Sequence, residues 1–84
     1  MVKDGDCVAI FQSIHRVMKA EKLLKQKKLK ILLIPVPRQL SSDCGLAIRF
    51  SPELKNEVEK ILSEAELSIA EIWQKEGKGF SQLL

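Results

Sequence analysis

Tyrosine is absent from this chain, and its aromatic side chains are only Phe11, Phe50, Trp73 and Phe80. A nucleic-acid surface usually sets stacking aromatics among its basic residues, so this scarcity ranks nucleic acid last among the expected partners. Two cysteines, Cys7 and Cys44, and one histidine, His15, cannot complete a four-ligand zinc site without carboxylates, and no C-x-x-C pairing is present. Neither a structural metal nor a cofactor is expected. No apolar run approaches the roughly 20 residues of a membrane span. The start, "MVKDGDCVAIF", lacks a signal-peptide layout, since its apolar part is short and follows acidic residues. The expectation is a cytoplasmic protein with no membrane partner. A phosphate-binding loop and a base–nucleophile pair are also missing, so a catalyst is the less favoured reading.

What remains is a chain of 84 residues, 45% hydrophobic and 30% charged. That composition suits one small folded domain spanning 1–84 and argues against disorder. The net charge of +3 is unevenly spread: "KAEKLLKQKKLK" holds most lysines, whereas Pro52 to Glu76 is acidic. Lysines at the end of a helix are accounted for by the helix dipole and by solubility.

"CVAIF", Cys7 to Phe11, is short and apolar enough for a buried strand. Ser13 is placed to cap the helical segment "IHRVMKAEKLLKQKK", in which Val17, Ala20 and Leu24 recur at helical spacing. Glu21 falls at the margin of that stripe. "KILLIPV" reads as a second strand, ended by Pro35 and Pro37. "GLAIRF" reads as a third, with Leu46, Ile48 and Phe50 on one face and Ala47 and Arg49 on the other. "SPEL" opens a second helix, with Ser51 as N-cap, Pro52 in the first turn, and a stripe through Leu54, Val58, Ile61, Leu62 and Ala65. "LSIAEIW" fits either a fourth strand or a continuation of that helix. "EGKGFSQLL" reads as a frayed tail over 76–84, leaving an ordered core of about 6–75.

If the last apolar segment is a strand, the order β-α-β-β-α-β is the ferredoxin-like split βαβ arrangement, an α+β fold with both helices on one face of an antiparallel sheet. Strands one and two then point the same way. The end of strand one, the start of helix one and the loop "PRQLSSDCG" share one edge of the sheet. Cys7 lies toward the opposite edge, roughly 13 Å away along the strand at about 3.3 Å per residue. A disulfide between Cys7 and Cys44 is not expected, because bonded cysteines hold their Cα atoms within about 7 Å.

Cys7, in an apolar strand, reads as a small hydrophobe. Cys44 ends the least apolar stretch before the second helix and is the candidate working thiol. A thiolate is favoured by a helix N-terminus or by cations, and Ser13, His15 and Arg38 stand where they can supply both. Ser41 and Ser42 offer hydroxyl donors, Gly45 keeps the backbone clear beside the sulfur, and Asp43 opposes the thiolate if it points at it.

"HRVMKAEKLLKQ", "LIPVPRQLSSDCGLAIRF" and "LSIAEIW" together resemble the selenium/sulfur carrier-like family of small bacterial proteins. The most specific part is the run P-x-P-R-x-x-S-S-x-C-G, here Pro35, Pro37, Arg38, Ser41, Ser42, Cys44 and Gly45. The resemblance implies that Cys44 holds sulfur or selenium as a persulfide or selenopersulfide, moving it between donor and acceptor proteins. It also implies that the last apolar segment is a strand. A rival reading makes the chain a thiol-based redox sensor or protein-interaction module without carrier activity. The open strands of so small a sheet leave a homodimer as a further expectation.

Overall fold

The computed structural model describes residues 2–40 and 45–84. Its elements run in the order β1 (Cys7–Ile10), α1 (Ile14–Gln26), β2 (Leu32–Pro35), β3 (Leu46–Phe50), a 3₁₀ turn (Pro52–Leu54), α2 (Lys55–Glu64), β4 (Glu71–Glu76) and β5 (Gly79–Gln82). The strands form one antiparallel sheet in the order β2-β3-β1-β4-β5. The first four strands are arranged as the split βαβ reading requires, and the fold is α+β.

Alternation along the strands sorts side chains onto two faces. Cys7 and Ala9 of β1, Ile48 and Phe50 of β3, and Ile72 of β4 point to the helical side, where Phe11, Val17, Ala20, Leu24, Val58 and Leu62 complete the core. Among the described residues the opposite face carries no helix, yet Val8, Ile10, Ile34 and Ala47 are buried there, packed with Leu40 and edged by Val2, Val36, Trp73 and Phe80.

α1 begins as its sequence predicts. The Ser13 hydroxyl accepts the Arg16 N–H at 3.2 Å, satisfying one of the unpaired donors of the first turn. Glu21, at the edge of the buried stripe, pairs with Lys25 at 3.1 Å. Both helices end in a left-handed residue that is not glycine: Lys28 at φ +63 and Glu66 at φ +58. The next residue then turns back, with the Leu29 N–H donating to the Leu24 carbonyl and the Leu67 N–H to the Leu62 carbonyl. A side chain is strained at such a backbone position, so Glu66→Gly is expected to raise stability by about 0.5–1 kcal/mol, read as a higher urea midpoint.

Two sequence expectations change, and one open alternative resolves to the strand that the family resemblance implied. Ser51 makes no side-chain cap; the Leu54 N–H bonds to the Ser51 carbonyl instead, tightening the first turn to 3₁₀ geometry before α2 starts. The helical option for "LSIAEIW" is excluded, because the turn at Glu66 and Leu67 ends α2 and sends the chain into β4. The segment 76–84, expected as a frayed tail, contributes β5. Gly77 at φ +57 begins a two-residue connection, Glu76 pairs with Gly79, and the Leu83 N–H still reaches the Ile72 carbonyl at 2.7 Å. A glycine at the first position of so short a loop matches the twist of an antiparallel hairpin, which explains the extra strand.

Asp6 and Arg49 close the non-helical face near the start of β1. The Arg49 Nη1–H donates to Asp6 Oδ2 at 2.8 Å, and the Lys3 backbone N–H donates to the same oxygen at 3.0 Å. Burial pushes the Asp6 carboxyl up, but the Arg49 hydrogen bond, the Lys3 N–H and their charges outweigh it, so the group titrates below its ordinary value of 3.8. A depressed folded pKa contributes stability that is complete above the unfolded value and is lost as pH falls through the folded one. Asp6→Asn is therefore expected to cost about 1–2 kcal/mol near neutral pH, a figure reduced for partial exposure. That difference should vanish in urea titrations run near about pH 2.

Candidate functional site

The loop between β2 and β3 is built from its two ends. Beyond the last ladder pair, Pro35 with Leu46, the Val36 N–H donates to the Gly45 carbonyl at 3.0 Å and closes the base of the loop. Pro37 then starts a turn, and its carbonyl accepts the Leu40 N–H at 3.0 Å. The Leu40 side chain, only 6% exposed, packs under the sheet with Val8, Ile10, Ile34 and Ala47. The first half of this polar loop is thus pinned by one apolar side chain to the face opposite the helices. Arg38 and Gln39 remain exposed, and Arg38 has no ion pair among the described residues.

Gly45 returns the loop to β3 at φ +74. A Cβ built there would meet none of the described residues within 4 Å, and the left-handed φ is the constraint that a glycine meets at this position. Ser41, Ser42, Asp43 and Cys44, the four residues expected to form and flank the thiol site, lie outside the described residues.

The register shows which supporting residues share the loop's edge. Ala47 pairs with Ile10 on one side and with Ile34 on the other, so the exits of β1 and β2 and the entry of β3 are level. Ser13 follows Ile10 by three residues and begins α1. Ser13, His15, Arg38 and Gly45 accordingly gather at one end of the sheet, with His15 exposed in the first turn of α1. They do not all sit on one face: Ser13 and His15 belong to the helical layer, while Leu40 draws the segment that carries Arg38 toward the other side. Leu40 is the residue sequence reasoning passed over. Its signal was present, since it is the sole apolar side chain between Pro37 and Cys44.

Cys7 is fully buried and free. Burial pushes its thiol above the ordinary value; Lys55 pulls the other way, and Asp6 and Glu59 add to the rise. A sealed thiol held in its protonated form is a poor nucleophile. Among the described residues, no group of three or more His, Cys, Asp and Glu side chains is placed to hold a metal, and no helix is long and apolar enough to cross a membrane.

These features define a small α+β domain that carries a cysteine-containing loop, tied at its base and anchored by one leucine, at one end of an antiparallel sheet. The chain belongs to the family described as "Putative Se/S carrier protein-like", whose model matches residues 6–74. The matched span runs from Asp6, just ahead of β1, into β4 and includes the whole cysteine loop. No curated protein and no solved structure gives a match.

Proposed function

We propose that Cys44 carries a sulfur or selenium atom between partner proteins. In the loading step the Cys44 thiolate attacks the terminal sulfur of a donor persulfide. The bond between that sulfur and the donor breaks, the donor leaves as its own thiolate, and Cys44 becomes a persulfide. In delivery a nucleophile of the acceptor attacks the same terminal sulfur, and the Cys44 thiolate departs. Each step exchanges one S–S bond for another bond to sulfur, and no outside oxidant or reductant is consumed. A terminal selenium atom follows the same course. Arg38 and the start of α1 favour the anionic forms, Ser41, Ser42 and Gly45 shape access to them, and Asp43 opposes the charge if its carboxylate points at the sulfur.

The observation that carries this reading is the family match across the loop, joined to the burial of the only other thiol. Incubating the protein with a small-molecule persulfide donor and reading intact mass tests it. One added sulfur that maps to Cys44 is the expected result. An adduct that maps to Cys7, or peroxide oxidation of Cys44 without sulfur uptake, would overturn it, the latter in favour of the redox-sensor reading.

A further inference from the structure

We infer that the outward face of α1 is the docking surface for an acidic amphipathic helix of the protein that exchanges sulfur with this domain. The partner's role rests on the carrier reading, but the binding does not. α1 buries Val17, Ala20 and Leu24. Its opposite side forms a shallow depression lined by His15, Met18, Lys19, Glu21, Lys22, Lys25 and Gln26. Ile14 and Met18, one turn apart, leave 48% and 45% of their surface in solvent.

The charge on this face is not explained by the helix itself. The depression sets Lys19, Lys22 and Lys25 against one acid, Glu21, and Glu21 is already taken by Lys25. Lysines in the last turn suit the negative end of the helix dipole. Lys19 and Lys22 do not. They stand in the middle of the helix, where the dipole offers a cation nothing, and lysines spaced by three repel one another along the face. A surface that sets like charges around two exposed aliphatic side chains gains its compensation from an opposite charge brought by another molecule.

The same features select the kind of molecule. Beside the lysines stand Ile14 and Met18 and no phenylalanine, tyrosine or tryptophan to stack on a base, which disfavours single-stranded nucleic acid. Two apolar side chains make a small foothold for a lipid surface. A second copy of this chain can offer the acidic α2, but the exposed positions there are Asn56, Glu57, Lys60, Ser63 and Glu64, with nothing apolar to meet Met18. A helix with leucine or methionine on one stripe and glutamates flanking it supplies both parts. The N-terminus of α1 lies at the same end of the sheet as the cysteine loop, so a helix docked on this face brings its protein to the side where Cys44 is carried.

The probe is a synthetic helix of roughly five turns, with leucines on one face and glutamates on the flanks, titrated into full-length Cys44→Ser protein and followed by amide NMR. Using that variant separates docking from sulfur chemistry: a wild-type protein that binds the peptide but takes up no sulfur overturns the carrier reading alone. Saturable shifts centred on Ile14, Met18, Lys19 and Lys22 are expected. Met18→Ser should weaken binding about tenfold, and Lys19→Glu combined with Lys22→Glu at least as much. Met18→Leu and the α2 control Lys60→Glu should leave binding unchanged, and unperturbed amide spectra will show that each variant is folded. Equal affinity for an all-polar acidic peptide of the same charge would overturn the inference. So would shifts centred elsewhere, tighter binding to oligouridylate or to phosphatidylserine vesicles, or self-association that the paired lysine reversals abolish.

Discussion

Cys44→Ser is expected to reduce sulfur loading in native buffer by three orders of magnitude or more, although Cys7 is still present. Cys7 is fully buried, flanked by β3 and β4, and its thiol is held in the protonated form. A donor reaches it only when the central strand opens. For a small domain stable by about 5 kcal/mol or more, that open state is populated at roughly one part in ten thousand or less. Loading of the serine variant should therefore rise steeply in sub-denaturing urea, whereas wild-type loading should not. Cys7→Ala, by contrast, should leave the native loading rate intact. Comparable loading of wild type and Cys44→Ser without denaturant would place the chemistry on Cys7.

The second large effect belongs to Leu40. Leu40→Ala removes an almost fully buried side chain from the cluster of Val8, Ile10, Ile34 and Ala47. An expected cost of about 2–3 kcal/mol follows from the usual range for buried leucines, taken low because a loop can relax. In a domain of this size that lowers the melting temperature by about 10 °C or more. Leucine at a loop position of ordinary exposure would cost a few tenths. A urea midpoint unchanged from wild type would show that the loop is not pinned there. The loading rate at Cys44, measured under conditions where both proteins are folded, should also fall, because the loop's near end loses its fixed point on the sheet.

The frame of the fold was readable from the sequence where one face is buried. The stripe of Val17, Ala20 and Leu24, the alternation of Leu46 to Phe50, and the apolar run at Cys7 each report a period that only one kind of element satisfies. The pattern left two options open where two periods agree over a short stretch, and the strand implied by the family resemblance is the one present. Ile69, Ile72 and Trp73 fit both a helix and a strand, and the deciding signal was the backbone turn at Glu66, which no glycine announces. β5 was obscured for another reason. Its side chains are polar or half-exposed, so burial leaves little imprint, and the signal lay in Gly77 and Lys78 as a tight connection. For the candidate site, residue types pointed to the loop and its cysteine, and strand directions placed Ser13, His15, Arg38 and Gly45 at one end of the sheet. Leu40 was missed because the cluster that receives it is assembled from β1, β2 and β3, and no local pattern reveals a pocket formed by three separate strands.

The sheet order has a consequence for how the chain acquires its structure. β1 is central, yet it leaves the ribosome before either neighbour: Cys7 must wait for Phe50 on one side and for Gln74 on the other. Neighbours so distant along the chain make for slow, late assembly. Until β4 emerges, the apolar segment Cys7–Ile10 keeps at least one edge unpaired, open to chaperones or to misassembly with other chains.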